Sequence, residues 1–314
     1  MENKIVTFGE IMMRLNPQGF LRFLQATNYD VSFAGGEANV AVSLANFGEN
    51  VSFVTKVPNH EIGQASINVL RNFGVDVSDI TRGGDRLGTY FVEKGASQRA
   101  SKVIYDRKYS AISLAKTNDF DWDKIFKGAS WFHFTGITPA LGGDMPSICL
   151  EACKNAKEKG IKISCDINYR SKLWSREEAN TVMYTLMPYV DVCIGNEADA
   201  KDVFNLQAGD SDIEKGELSK DGYIDVAKQL SEKFNINTVA FTLRGSLSAS
   251  VNTWAAMLYK DNKAYFSPSY TIQIVDRVGG GDSFSGGLVY SLFNNYEEQD
   301  AINFAVAASC LKHT

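Results

Sequence analysis

The run Asp276-Arg277-Val278-Gly279-Gly280-Gly281-Asp282-Ser283-Phe284-Ser285-Gly286-Gly287 concentrates residues that can do chemistry. Three consecutive glycines carry no Cβ, so their backbone N–H groups can turn towards one point. Phe284 to Phe293 then has the composition of a packed helix. A glycine turn that opens a helix is an anion cradle, because free N–H groups and the positive end of the macrodipole face the same way. Asp282 is the odd residue, since a carboxylate beside a bound phosphate repels it unless it has another task. One such task is to take a proton from an attacking hydroxyl while the N–H groups hold the charge gathering on a transferring phosphoryl group. The competing reading makes Asp282 an N-cap after a glycine loop. This segment alone does not decide between them.

A second glycine corner, Gly35-Gly36-Glu37-Ala38-Asn39-Val40-Ala41, opens a helix expected to reach about Phe47 and to stop at Gly48. It is either a plain strand–turn–helix corner or a binding corner in which the Asn39 amide, on the first turn, hydrogen-bonds a sugar hydroxyl. Four apolar strands carry polar residues at their carboxyl ends. Trp131–Thr135 meets Gly136, and Ile161–Cys165 runs into Asp166-Ile167-Asn168-Tyr169-Arg170. Val190–Ile194 meets Gly195-Asn196-Glu197, and Thr238–Thr242 meets Leu243-Arg244-Gly245. In open parallel sheets ligands bind outside those ends, so these groups are expected to converge. Asp166, Asn168 and Arg170 are two apart and would share a face while the chain stays extended. Taken singly, polar residues after a strand are also what loops are made of.

These residues need a frame, and the chain has the material for one. Its 314 residues are 44% hydrophobic and 22% charged with 6 Pro, an ordinary globular composition that fits one domain. The net charge of −5 and the lack of a basic block argue against nucleic acid or an anionic membrane as partner. Without a long apolar run or a signal peptide, a cytoplasmic location is expected. The cysteines, at 149, 153, 165, 193 and 310, lie in apolar segments at spacings of no zinc or redox pattern and read as small buried hydrophobes. His133, between Phe132 and Phe134, reads as a packed histidine, and the tryptophans as core or edge aromatics.

Strand and helix periods alternate from Ile5 onwards, including a strand at Val51–Val57 and a helix at Gly63–Phe73 closed by Gly74. The expected fold is α/β, a doubly wound, mostly parallel sheet. Two strand-like runs in succession, Gly88–Lys94 and Lys102–Arg107, break the rhythm and point to a small antiparallel sheet. Met12–Leu15 and Tyr29–Phe33 would complete it as a lid, inserted at about 12–34 and 88–108. Lys201–Asp225, the most polar stretch, reads as a surface insertion whose acids lack calcium-loop spacing.

With both glycine motifs in order near the two ends, the chain resembles the ribokinase-like (PfkB) sugar kinases over essentially its whole length. The resemblance implies a single ribokinase-like kinase domain, ATP and Mg²⁺ as cofactors, and a monovalent cation as a further candidate. It makes Asp282 the base on the acceptor hydroxyl and the N–H groups of Gly279, Gly280 and Gly281 the anion hole. Asn196 with Asp199 is similar to the family's Asn-x-x-Glu element that organises Mg²⁺ and phosphate, here with Asp as the acid. Asn168, Thr242, Arg244 and Gly245 fall at nucleotide-side positions, and helix 301–308 is expected beside the adenine. Gly35, Gly36 and Asn39 fall at the sugar. Similar kinases usually run on past the position of Thr314, so the sequence is expected to lack a further helix.

Within the family a sugar acid needs its carboxylate matched by fixed cations, best by Arg. Tyr90, Tyr105 and Arg107 on the lid, with Arg170 on the main sheet, would supply that pocket, and the motifs are most similar to those of 2-keto-3-deoxygluconate kinases. The rival expectations are a fructokinase or ribokinase type acting on a neutral sugar, and a sugar-sensing homologue without catalysis. A lid sheet that covers the site with one face exposes apolar residues on the other, so a homodimer or higher homo-oligomer through the lids is expected.

Overall fold

The computed structural model describes residues 3–208 and 219–314. The strands are β1 (Lys4–Phe8), β2 (Met12–Pro17), β3 (Tyr29–Ala34), β4 (Val51–Val54), β5 (Lys56–Val57), β6 (Thr81–Arg82), β7 (Gly88–Glu93), β8 (Lys102–Asp106), β9 (Ala129–Thr135), β10 (Lys162–Asp166), β11 (Val192–Gly195), β12 (Thr238–Ser246), β13 (Val251–Lys260), β14 (Lys263–Phe266) and β15 (Tyr270–Gln273). The helices are α1 (Gly36–Asn46), α2 (Glu61–Asn72), α3 (Trp122–Ile125), α4 (Met145–Glu158), α5 (Arg176–Leu186), α6 (Glu197–Phe204), α7 (Lys220–Phe234), α8 (Gly280–Phe293) and α9 (Glu298–Lys312).

The main sheet runs β14-β13-β12-β11-β10-β9-β1-β4, with β15 also on β13. From β4 to β12 every pairing is parallel, and β13 with its neighbours β14 and β15 is antiparallel. Parallel strands covered on both faces must be apolar on both, and Ile5-Val6-Thr7-Phe8 is buried throughout. Alternation sorts the side chains: Ile5 and Trp131 join the core under α1, α8 and α9, while Val6, Phe8, Phe132 and Phe134 join the core under α3 to α7. The chain leaves β1 towards β4 on one side and returns as β9 on the other. That reversal opens a crevice at the carboxyl ends of β1 and β9.

The lid is a separate four-stranded sheet in the order β3-β2-β7-β8, two antiparallel hairpins joined through the parallel pair β2–β7. One face carries Met12, Tyr90 and Tyr105 towards the crevice. On the other, the cross-strand registers align Val31, Leu15, Phe91 and Ile104 in one row.

The long helix near the end begins at Gly280, four residues before the packed run at Phe284, because the glycine triplet supplies its N-cap and first turn. Gly279 is the N-cap, at φ 87°, a region that L side chains rarely adopt. Asp282 therefore lies inside the first turn, and the N-cap reading of it is corrected. Glycine is a poor helix former, but here tertiary packing overrides propensity. A Cβ at Gly286 would lie 2.8 Å from Ser43 Cβ of α1, and one at Gly287 would lie 3.0 Å from Ala305 Cα of α9. The glycines thus let α8 approach both neighbours closely.

Three further expectations change. The strand ends at Asp166 and Asn168 has φ 41°, so Asp166, Asn168 and Arg170 do not share an extended face. Cys310 is half-buried, unlike the other cysteines, because it lies near the end of α9. The polar stretch 201–225 begins in α6 and ends in α7, while Gly209-Asp210-Ser211-Asp212 and Lys215-Gly216-Glu217 lie outside the described residues. His133 is fully buried, with Nδ1 on Ser164 Oγ at 2.8 Å, and burial pushes its pKa down to about 3.

Candidate active site

The crevice is a cavity of about 550 Å³ whose walls come from the carboxyl ends of β9 to β12, the first turns of α1 and α8, and the lid. Of the residues singled out in the sequence, Gly35, Gly36, Asn39, Tyr90, Tyr105, Arg107, Asn168, Arg170, Asn196, Asp199, Thr242, Arg244, Gly279, Gly280, Gly281 and Asp282 line it. Gly245 does not, because its N–H is spent on Thr253 Oγ1 within the β12–β13 ladder. Helix residues 301–308 do not line it either; Ala301, Ile302, Ala305 and Val306 are buried in the core.

Two helix N-termini meet at Asp282. Gly35 precedes α1 in an extended conformation, and a Cβ there would lie 1.8 Å from the carbonyl oxygen of Glu10, so only glycine allows the approach. One turn on, Asn39 Nδ2 donates to Asp282 Oδ2 at 2.7 Å. A Cβ on Gly279 would be 3.3 Å from Asn39 Nδ2, whereas one on Gly281 would meet nothing within 4 Å, so the glycine turn is packed on one side and open on the cavity side. Burial raises the Asp282 pKa; the Asn39 hydrogen bond, Arg170 and Lys312 oppose the rise. A carboxylate that among the described residues is fixed by one donor and keeps a free oxygen, and whose basicity is raised, is suited to take a proton.

A second group of carboxyls lies beside it. Burial, then Asp199 and Asp282, push Asp166 up to about 8 against Arg170 and the Ser285 hydroxyl. Asp199 is pushed up by burial to about 6 and accepts from the N–H groups of Tyr169 (3.0 Å) and Asn196 (3.2 Å). Asn196 Oδ1 accepts from the Asp199 N–H at 2.9 Å, so the pair forms a capping box on α6. Asn168 Oδ1 is buried with no donor among the described residues.

On the lid side, Arg107 directs Nε and Nη2 to Glu10 Oε2, and Ser110 Oγ donates to Oε1 of the same carboxylate. Arg107 lies 5.5 Å from the Tyr105 ring centre, and Tyr105 stacks on Tyr90 at 5.9 Å. Arg170 is exposed, with Nη1 donating to the Tyr169 carbonyl at 2.9 Å and its other donors free among the described residues.

Several wall residues were not singled out. Glu37 is buried in the first turn of α1 and its Oε1 accepts from the Thr135 N–H, Thr135 Oγ1 and Thr138 Oγ1, tying the turn to β9. Burial pushes it up to about 7 despite those bonds. An acid directly after a glycine pair was the available signal. Glu10, Asn252, Trp254, Arg277 and His313 also line the cavity. Arg277 lies in the run before the glycine triplet; the others arrive from β13, the loop after β1 and the end of α9, and no local pattern announces them.

Residues 2–314 match the pfkB family carbohydrate kinase profile. The crystal structure of a 2-dehydro-3-deoxygluconokinase from Thermotoga maritima superposes with a TM-score of 0.96 at 50% identity, covering 100% of this chain and 93% of that one. A 2-dehydro-3-deoxygalactonokinase from Haloferax volcanii is 32% identical over 100% of this chain and 92% of its own length. A 2-dehydro-3-deoxygluconokinase from Bacillus subtilis is 28% identical over 98% of this chain and 88% of its own.

The raised carboxyls set a pH dependence. Asp166, with its usual value of 3.8 raised to about 8, keeps its proton in the folded chain where the unfolded chain has lost it. Between those values the native state binds more protons, so its contribution to stability falls as pH rises. In thermal melts of the ligand-free protein, Asp166→Asn should gain on wild type steadily from about pH 4 to about pH 8. A melting difference that is constant across that range would contradict the assignment.

Proposed function

The chain belongs to the pfkB family of carbohydrate kinases, and from that premise we propose that it transfers the γ-phosphoryl group of ATP to the primary hydroxyl of 2-keto-3-deoxygluconate. The observation that carries the reading is the Asp282 carboxylate, held by Asn39 beside the glycine turn, where the N–H groups of Gly279 and Gly281 have no partner among the described residues and that of Gly280 donates to the Arg277 carbonyl at 3.2 Å. The acceptor hydroxyl gives its proton to Asp282 as its oxygen attacks the γ-phosphorus. The bond to the β-phosphate oxygen breaks and ADP leaves with the electron pair. Charge on the transferring group is met by the glycine N–H groups and the positive end of α8. Asn39 keeps the carboxylate aimed while the proton moves.

Mg²⁺ with ATP would neutralise phosphate charge here. The residues fit: Asn168 Oδ1 is a buried acceptor without a donor among the described residues, and the charged form of Asp166 is disfavoured first by burial and then by its acidic neighbours, which a cation would relieve. Those two would hold it, directly or through water. Asp199 supports them less directly, because both of its oxygens already accept backbone N–H groups. The nucleotide would lie towards Thr242, Arg244, Asn252 and His313, on the side of the cavity formed by β12, β13 and the end of α9.

Of the two arginines expected at the sugar acid, Arg170 has donors to spare among the described residues, because Arg107 is largely committed to Glu10. Tyr90 and Tyr105 would flank the carbon chain. The names of the relatives at 50% and 32% identity differ in stereochemistry, so the galactonate epimer is the closest competitor. ADP release on mixing with ATP, Mg²⁺ and either sugar acid tests the reading, with fructose and ribose as neutral controls; no release with either acid would refute it. Arg170→Ala should lower kcat/KM for the preferred acid about 10- to 100-fold, as expected for losing a charge-assisted contact. An unchanged value would remove the carboxylate role.

The row Val31-Leu15-Phe91-Ile104 on the outer lid face supports a homodimer through the lids, since Val31 and Ile104 are 57% and 44% exposed in the single chain. Light scattering at micromolar protein should give twice the chain mass, and Ile104→Glu should return the mass of one chain. A wild-type mass equal to one chain would contradict the dimer.

A further inference from the structure

Asp276 stands three residues before the glycine N-cap of α8, and neither it nor Arg14 nor Lys312 lines the cavity. Yet all four polar atoms of Asp276 are engaged, two by the end of α9, one by its own turn and one by the lid. Its N–H donates to the His313 carbonyl at 3.3 Å, and its own carbonyl accepts from Lys312 Nζ at 2.7 Å. Its Oδ1 accepts from the Val278 N–H at 3.0 Å, which shapes the turn, and its Oδ2 accepts from Arg14 Nη2. Arg14 also donates from Nε to Asn16 Oδ1 at 2.8 Å, so its guanidinium is held through two of its nitrogens. Burial alone would raise the Asp276 pKa; Arg14, the Val278 N–H and Lys312 outweigh it and hold the carboxyl below its usual value.

The two cations come from elements that otherwise belong to different tasks. Arg14 lies on β2, in the interior of the lid sheet between β3 and β7, and its side chain is only 12% exposed. Lys312 ends α9, and its stem packs on the turn: a Cβ on Gly279 would lie 3.5 Å from Lys312 Cε. The segment from Asp276 to Gly279 is too short to absorb a shift at one end without passing it on to the glycine N–H groups.

We propose that Arg14 and Lys312 are positioning residues for phosphoryl transfer, two cations that clamp the Asp276 turn so that the lid sheet and α9 fix the Gly279–Gly281 donors. The inference rests on the reading of those glycines as the anion hole. It makes the Arg14–Asp276 bridge the mechanical link through which the lid acts on the reacting end of the nucleotide, without Arg14 touching either substrate.

The test compares Arg14→Gln, Lys312→Gln, Asp276→Asn and the double variant Arg14→Gln/Asp276→Asn by ADP release and by thermal melting. Each single change should lower kcat roughly 10- to 100-fold, the cost of a displaced catalytic group. KM for ATP and for the sugar acid should stay within about threefold, since ground-state contacts are untouched. The double variant should be no slower than the slower of its two parents, because one bridge is lost only once. A purely structural role would instead lower the melting temperature and leave the kcat of the folded protein in place. Values of kcat within about twofold of wild type, losses confined to KM, or losses that multiply in the double variant would each overturn the proposal. If Arg14→Gln does not fold, Arg14→Lys, which keeps a charge but not the second donor nitrogen, is read by the same criteria. An inactive Asp282→Asn beside a fully active Arg14→Gln would defeat this inference alone and leave the proposed function standing.

Discussion

The hydrogen bond between Asn39 and Asp282 joins residues 243 apart, and the geometry of the site depends on it. It forms only because α1 and α8 can bring their first turns together, and both do so through glycine. Gly35 allows α1 to start against the Glu10 carbonyl, and Gly286 allows α8 to lie against Ser43 of α1. The first turns of two helices, with the N–H groups that a helix start leaves unpaired, then line one space where the carboxylate of Asp282 stands. An anion cradle and a base are thus built at the same point, the pairing that transfer to a hydroxyl requires.

The price of that arrangement is electrostatic. Asp166, Asp199, Asp282 and Glu37 are raised together by burial, and the cation recurring among the opposing causes for the three aspartates is Arg170. A site in this condition favours the arrival of positive charge, which nucleotide-bound Mg²⁺ would supply. Two further charged groups are closed in pairs, Glu10 with Arg107 on the cavity wall and Asp276 with Arg14 behind it. The lid is therefore tied to the main sheet at its inner edge and to the catalytic turn near its centre.

What the sequence made legible was whatever has few physical alternatives. Three glycines before a packed run, a second glycine corner and apolar strands ending in polar residues each restrict the backbone so strongly that fold and crevice followed. The start of α8 was misplaced because local propensity counts against glycine, while packing against α1 and α9 favours it. Asn168 was expected to stay extended, but the chain turns there through a left-handed conformation that alternation cannot express. Glu10 was missed as the partner of Arg107, 97 residues away, because a long-range ion pair leaves no local pattern. His313 and Trp254, packed together at 4.8 Å, reach the cavity from the end of α9 and an antiparallel strand, outside the parallel-sheet rule.

The role of Asp282 is tested most directly by Asp282→Asn, measured as kcat beside melting temperature. The amide keeps the shape and a partner for Asn39 but cannot take the hydroxyl proton, so kcat should fall roughly 10²- to 10⁴-fold while the protein still melts close to wild type. A variant that melts like wild type and turns over within a few-fold of it would contradict the account.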